Sequence, residues 1–264
     1  MLEVTQLGGS IIAAVKSAAG DERSSALATR VLLRDALNRP SFRMNLVDQV
    51  LESIAVQGAG WSSPPLYVSP NGELRIRLTY WPPGYRNETH THIRWTVTGV
   101  VHNEIAVELM DSDGPDARVL RTIVAKDGDT GHLLPPCAHR VHNTSAGYSV
   151  LLHVFSEGGA NAEAREAIPD RPIRMASRSR ALRAIVPLVC TWSGSEVTQR
   201  LLRIFELGDN EVKLLAVKGL IERDFAVGMQ KSLELEACLT GTNQHALSSI
   251  NAALLSRPAA GASR

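Results

Sequence analysis

Cysteine is the first shortage. The chain holds three in 264 residues, Cys137, Cys190 and Cys238, odd in number and far apart. A disulfide framework is excluded as the source of stability, and a reducing cytoplasm is the expected location. Long apolar runs are missing too. None approaches the roughly 18–20 residues that cross a bilayer, so no membrane partner is expected. The opening stretch MLEVTQLGGSIIAAVKSAAG has neither the basic start nor the long apolar core of a secretory signal. An excess of one charge is also lacking. Lys plus Arg number 28 against 27 Asp plus Glu, a net charge of +1, so no global field favours nucleic acid or an anionic surface. What remains is a chain that is 44% hydrophobic, enough for one large domain or two modest ones.

Histidine is present and unevenly spread. Seven of the eight (His90, His92, His102, His132, His139, His142, His153) fall between residues 90 and 153, and His245 stands apart. Imidazole is the commonest protein ligand for a transition metal, so the cluster points to metal.

The hydrophobic period changes twice along the chain. Residues 10–57 read as helical: Ala26, Leu33 and Leu37 share a face, and Leu46, Val47, Val50, Leu51 and Ile54 form a clearer stripe beyond a break at Asn38-Arg39-Pro40. From about 66 to 157 the period is two. ELRIRLTYW alternates Leu74, Ile76 and Leu78 against Arg75, Arg77 and Thr79, and IRWTVTGVV alternates Ile93, Trp95 and Val97. NEIAVELM, ARVLRTIVA and YSVLLHVF read as further strands, separated by SPNG, DSDGPD and KDGDTG turns. Short strands in close succession without helices between them suggest an antiparallel barrel or sandwich. Residues 157–180 read as a linker or short crossing segment. Helical periodicity then returns in SEVTQRLLRIFELG, DNEVKLLAVKGLIERD, AVGMQKSLELEACLTG and NQHALSSINAALL, with Ser195 and Asp209 as expected N-caps and Gly208 and Gly241 as expected ends.

The unit that carries chemistry is WPPGYRNETHTH. A turn at Pro82-Pro83-Gly84 leads into His90 and His92, which share a face if the chain is extended, about 7 Å apart along it. LLPPCAHRVHNTS supplies His139 and His142, three apart and so on opposite faces of a regular strand. YSVLLHVFS places His153 in an otherwise apolar strand, where a buried polar group needs a partner. His132 and His142 read as surface or loop residues, His102 is given no role, and Cys137 reads as a small free residue in a loop near the pocket mouth.

Gly84, five residues, His90, one residue, His92 resembles the first cupin motif, and His139, three residues, Asn143 resembles the end of the second. More narrowly, W-P-P-G followed by H-x-H, then H-R-V-x-N, then L-H-V-F-S resembles the thiol dioxygenases, the cysteine dioxygenase branch of the cupins. The resemblance covers about residues 66–157. It implies a cupin double-stranded β-helix barrel, mainly β with α. Residues 1–60 are expected as helices packing on the barrel, 61–160 as the barrel, 161–180 as a linker and 181–258 as a C-terminal helical region.

The resemblance also implies that His90, His92 and His139 hold Fe(II), that His153 is the catalytic-side histidine, and that Trp81 is a pocket wall. Thr96 and Val97 stand where other cupins carry a glutamate ligand. Three neutral imidazoles leave an iron its full charge and open positions for a thiolate, a second substrate donor and O2. The sequence departs from that branch along its last strand, where Leu151, His153 and Phe155 replace serine, histidine and tyrosine, and Pro64 stands where an anchoring arginine is expected. Arg77, with the parity of Thr79 and Trp81, and Arg94, with the parity of His92, become the candidate anchors for a substrate carboxylate. The candidate substrate-side set is therefore Trp81, Thr79, Arg77, Arg94 and Phe155. Other divalent metals suit the same ligands. Three functions stay open: a thiol dioxygenase on a small thiol, a metal-dependent isomerase, lyase or tailoring oxygenase on a non-thiol substrate, and a non-enzymatic metal-binding scaffold. The C-terminal helices are open to use as a lid, a homodimer interface or a docking surface.

Overall fold

The structure is a computed structural model that describes residues 2–114, 116–156 and 176–256. Three helices come first: α1 (Leu2–Ser17), α2 (Glu22–Leu37) and α3 (Pro40–Gln57). Helix α1 begins eight residues before the sequence periodicity becomes legible at residue 10. The Asp21 carboxylate caps α2 by accepting a hydrogen bond from the Ser24 N–H at 2.9 Å, and Pro40 occupies the first turn of α3, where its missing N–H costs nothing. The expected apolar faces are buried in both helices: Ala26, Leu33 and Leu37 in α2, and Leu46, Val47, Val50, Leu51 and Ile54 in α3.

Eight strands follow: β1 (Tyr67–Val68), β2 (Leu74–Trp81), β3 (Thr96–His102), β4 (Glu104–Met110), β5 (Val119–Lys126), β6 (Thr130–Leu133), β7 (His139–His142) and β8 (Ser149–Ser156). They form a five-stranded sheet in the order β1-β2-β8-β3-β6 and a three-stranded sheet in the order β5-β4-β7, with every pairing antiparallel. Residues from both sheets line one cavity between them. This is a double-stranded β-barrel of cupin type, with helices before and after it. Helix makes up 52% of the described residues and strand 22%, so the part that holds the site is the smaller one.

Helices α1 and α2 cover the five-stranded sheet, α1 against β1 and β2, α2 against β3 and β6. The fit at β3 is tight. A Cβ on Gly99 would lie 2.3 Å from Leu37 Cδ1 and 3.2 Å from Leu33 Cδ2, so only glycine lets the helix approach this closely. The central strands are therefore buried on both faces. In β2, Thr79 and Trp81 face the cavity while Leu74, Ile76, Leu78 and Tyr80 are buried on the other side. Simple alternation of apolar and polar residues fails where a sheet is covered on both faces. In the three-stranded sheet the outer strand β5 is instead largely exposed along its length, and only the short β7 alternates.

The remaining helices are α4 (Arg178–Cys190), α5 (Ser195–Leu207), α6 (Asn210–Arg223), α7 (Phe225–Cys238) and α8 (Gly241–Leu255). The chain divides into two compact units, residues 1–185 and 186–264, at a point within α4. The first three residues of α4, 178–180, fall in the segment read as a linker; 157–175 lie outside the described residues. In the second unit α5 packs on α6, α6 on α7 and α7 on α8. Asp209 and Asp224 cap α6 and α7 through the backbone N–H groups of Val212 (3.0 Å) and Val227 (3.1 Å). Two expected helix ends differ. Gly194, not Ser195, precedes α5 as its cap, and Gly241, with φ +62°, opens α8 where the sequence suggests an end. No described helix is long and apolar enough to cross a membrane.

Candidate metal centre

The segment from Pro82 to Trp95 is not the regular strand that its alternation suggests. It opens with a turn closed by the Tyr85 N–H donating to Pro82 C=O at 3.1 Å, with Gly84 at φ +69° in the third position, the one that demands a positive φ in this turn type. It then runs beside β7 and is fastened to it. Gly84 N–H donates to Asn143 C=O (3.0 Å), Asn143 N–H to Tyr85 C=O (2.9 Å) and Asn87 N–H to Val141 C=O (3.1 Å), while His90 and His139 exchange both backbone hydrogen bonds at 2.9 Å. Two buried amides complete the attachment. Asn87 Oδ1 accepts from Val141 N–H at 2.6 Å, and Asn143 Nδ2 donates to the carbonyls of Trp81 (2.8 Å), Pro82 (3.1 Å) and Gly147 (2.8 Å). The histidine segment is thereby an irregular extra strand of the three-stranded sheet, and pairing delivers His90 to His139.

His90, His92 and His139 converge. Their ring centroids lie 5.1, 4.3 and 5.0 Å apart pairwise, and one nitrogen from each falls within 4.8 Å of the others. Among the described residues this is the group of histidine, cysteine and carboxylate side chains placed to share an ion. The donor set fits a divalent transition metal. His90 Nδ1 lies 3.0 Å from Glu88 C=O and His139 Nδ1 lies 3.1 Å from Cys137 C=O. A carbonyl only accepts, so each Nδ1 carries the proton and each Nε2 presents its lone pair, the tautomer a metal ligand needs. Burial, and then the neighbouring His90 and His92, push the His139 pKa down to about 3, so this imidazole is neutral at pH 7. Among the described residues no carboxylate joins the set, and Thr96 is buried in the cavity wall.

A second polar chain crosses the opposite sheet. Trp81 Nε1 donates to Thr79 Oγ1 at 2.9 Å, Thr79 Oγ1 lies 2.9 Å from His153 Nε2, and His153 Nδ1 lies 2.8 Å from Thr98 Oγ1. Indole N–H can only donate, so the Thr79 oxygen accepts from it and keeps a second lone pair and its own proton with which to meet His153 Nε2. His153 thus bridges the Thr79 and Thr98 hydroxyls through its two ring nitrogens, and both threonines line the cavity. His153 stacks on Phe155 at 5.4 Å, and Phe155 meets His92 edge-on at 6.0 Å, so the phenyl ring separates this chain from the three histidines.

The cavity has a volume of about 630 Å3, and Trp81, Thr79, His153 and Phe155 line it as the sequence suggests. Arg77 does not line it. It sits opposite His153 in the β2–β8 register, half-buried, two residue pairs from Thr79. Arg94 requires correction. Its side chain is 49% exposed and lies 3.4 Å from Glu22 of α2, away from the cavity, because the chain bends at 93–94 and strand parity no longer applies. Ile93 is 64% exposed for the same reason. His142 is on β7, paired with Ala106. His132 and Cys137 both line the cavity, so His132 is no mere surface residue. Burial raises the Cys137 thiol above its ordinary pKa. Sequence reading missed Thr98, which parity with Thr96 marks, and Arg30 and Arg34 of α2, which line the cavity from outside the barrel and which no local pattern marks.

No protein-family model and no curated protein matches the chain. Solved cupin domains overlap part of it. A cupin superfamily protein of Desulfitobacterium hafniense DCB-2 is 14% identical over 37% of this chain and 78% of its own (TM-score 0.29), and a cupin-2 domain protein of Shewanella frigidimarina NCIMB 400 is 10% identical over 40% and 90% (TM-score 0.30). A sugar phosphate isomerase from a cupin superfamily, from Silicibacter pomeroyi DSS-3, is 14% identical over 31% of this chain and 49% of its own (TM-score 0.26). Overlaps this short and distant carry no argument about activity, and the fold rests on the chain's own strand order. The narrower likeness to thiol dioxygenases finds no counterpart among these three.

Proposed function

We propose that the protein is a mononuclear non-haem iron enzyme of thiol dioxygenase type, adding O2 to the sulfur of a thiol to give a sulfinate. The observation that carries this reading is a cavity-lining set of three imidazoles, ligands that bring no negative charge to a metal, with no carboxylate among the described residues that converge there. Such a set leaves a divalent ion its whole charge with which to stabilise a thiolate. His90, His92 and His139 would hold Fe(II), which when bound supplies Lewis acidity towards the thiol and reactivity towards O2. The reaction balances without a further reductant: the thiol loses four electrons at sulfur, dioxygen gains them, and both oxygen atoms end on sulfur. The carbonyls of Glu88 and Cys137 fix two of the imidazoles in the ligating tautomer. Phe155, Trp81 and aliphatic residues wall the pocket, and the Thr98 hydroxyl, hydrogen-bonded to His153, lines the same space.

The cavity volume favours one second reading. About 630 Å3 suits a drug-sized molecule more than a three-carbon thiol, so a metal-dependent isomerase, lyase or tailoring oxygenase on a larger non-thiol substrate is the alternative. Metal analysis of the purified protein, followed by oxygen uptake across a thiol panel, separates the two. The proposal expects one equivalent of iron, oxygen uptake with at least one thiol, and a product heavier by two oxygen atoms. Bound iron with no uptake on any thiol sinks it in favour of the alternative. A chain that takes up no metal, even when Fe(II) is added, removes both.

A further inference from the structure

The ring of His153 is held from both sides. It lies opposite Thr98 in the β3–β8 register, and the strands flanking β8 each bring it a threonine, Thr79 Oγ1 at 2.9 Å from Nε2 and Thr98 Oγ1 at 2.8 Å from Nδ1. Trp81 Nε1 ends the chain by donating to Thr79 at 2.9 Å. Phe155 stacks on the imidazole with 15° between the planes, which fixes the plane of the ring. A neutral imidazole carries one ring proton. The chain therefore holds four protons, on the Trp81 indole, the Thr79 hydroxyl, the ring and the Thr98 hydroxyl, and three hydrogen bonds use them. One hydroxyl proton is left over in either tautomer. If Nε2 is protonated it donates to Thr79, Thr98 donates to Nδ1, and the spare proton sits on Thr79. If Nδ1 is protonated it donates to Thr98, Thr79 donates to Nε2, and the spare proton sits on Thr98. Arg77, opposite His153 in the β2–β8 register, adds donors to this wall and no acceptor.

The two placements are not equal. Thr79 is 2% exposed and sits between Trp81 and His153, so a spare proton there is a buried donor short of an acceptor. Thr98 is half-buried on the cavity wall, where a spare proton meets whatever fills the cavity. We propose that the ring proton of His153 resides on Nδ1, and that Thr98 is a substrate-contacting residue whose hydroxyl donates to an acceptor atom of the molecule in the cavity. Trp81, Thr79 and His153 are then positioning residues. The indole orients the Thr79 hydroxyl, Thr79 sets the tautomer of the ring, and the ring sets the direction of Thr98. No proton changes owner. The ligand class is a molecule that places a carbonyl, carboxylate or sulfinate oxygen against β3, with its apolar part on the aliphatic wall of Val100, Ile105, Val107 and Leu151. That this molecule is also what reacts at the three histidines rests on the metal-centre reading above; the direction of the hydroxyl does not.

Nitrogen-15 NMR of the full chain, labelled at histidine and kept metal-free with chelator at pH 7, reads the tautomer; His153→Leu assigns the signals. Wild type is expected to show a protonated Nδ1 and an unprotonated Nε2. Thr79→Val should keep that pattern, because Thr98 still accepts from Nδ1. Thr98→Val removes the acceptor and should move the proton to Nε2, where Thr79 still accepts. A bridge that merely holds strands together predicts no such one-sided shift. A wild-type ring protonated on Nε2 or on both nitrogens, or a tautomer unmoved in Thr98→Val, overturns the assignment. Calorimetry on the same metal-free chain tests the contact with cyclohexanone, an acceptor with no proton of its own to donate. Thr98→Val should bind it about fivefold more weakly, the worth of one neutral hydrogen bond, and Thr98→Ser should restore wild-type affinity. Equal affinity in all three proteins, or no binding by wild type, overturns the role of Thr98. Thermal melts verify that each variant folds. Metal content and oxygen uptake, measured separately, tell the two failures apart. A chain that takes up no metal but shows the expected tautomers and affinities keeps Thr98, while an iron-loaded chain that consumes oxygen without them keeps only the metal centre.

Discussion

The two sheets of the barrel share an antiparallel design and a cavity, yet they are built differently. The five-stranded sheet is covered by α1 and α2, and β8 is buried along nearly its whole length. Among the described residues nothing covers β5 of the three-stranded sheet in this way, and Leu120 is 70% and Val124 51% exposed there. The chemistry divides along the same line. The covered sheet contributes polar groups hydrogen-bonded to one another, Trp81, Thr79, His153 and Thr98. The open sheet contributes His139 and, through the segment fastened to β7, His90 and His92. Ligands that must meet within a few ångströms are thus held by backbone pairing and buried amides, while the covered sheet supplies a prepacked wall.

The sharpest way to break this division is to move a histidine on each side. His139→Ala should reduce metal affinity about a hundredfold or more, since it removes a direct ligand where even outer partners are worth about 10–100-fold. His153→Leu should leave metal content unchanged and act on turnover alone. Metal analysis after equilibrium dialysis reads both, and an equal loss in the two variants would erase the distinction.

The next effect concerns what fastens the histidine segment. Asn143 is fully buried and donates to three carbonyls, so Asn143→Ala strands several acceptors at once. The expected cost is about 3–5 kcal/mol in urea unfolding, with weaker metal binding in the fraction that folds. A loss below about 1 kcal/mol, the scale of a single hydrogen bond, would mean the segment is held by other contacts.

A smaller pair of changes contrasts the cover itself. Gly99→Ala drives a methyl group into Leu33 and Leu37, both fully buried, and should cost about 1–3 kcal/mol by overpacking. Leu120→Thr on the open strand should fall within about 0.5 kcal/mol of zero. Matched thermal melts suffice, and the comparison fails if the two shifts are alike.

Much of this was legible beforehand, and the exceptions have common causes. The stripes of α2 and α3, the strands and the three histidines follow from periodicity, and from the spacing of Gly84, His90, His92, His139 and Asn143. Arg94 and Ile93 were misread because parity assumes a regular strand, and the chain from 90 to 95 is held by pairing with β7 and by a bend instead. The place of Arg30 and Arg34 at the cavity was invisible because it arises when α2 packs on β3 and β6, a contact between distant parts of the chain that no local period encodes. His132 escaped notice because its strand is four residues long and flanked by turn signals.

The smallest expected effect lies on the open sheet and depends on pH. Glu108 of β4 takes hydrogen bonds at one carboxylate oxygen from Arg86, at 2.5 Å, and from Arg140 Nε. It thereby ties the histidine segment, β7 and β4 together. Burial pulls its pKa upward, but the two guanidiniums outweigh burial and hold it below the usual glutamate value. A carboxylate with a folded pKa below its unfolded one binds fewer protons in the native state, so it stabilises the fold above the unfolded pKa. That contribution fades as pH falls through the folded value. Wild type should therefore be more stable than Glu108→Gln at pH 7, and the gap should close between about pH 4.3, the unperturbed glutamate value, and lower pH. The margin is modest, since Arg86 is 42% exposed and solvent screens the pair. Urea unfolding at pH 7, 5 and 3.5 measures it. A gap that stays constant across that range would show that Glu108 acts through packing and not through charge.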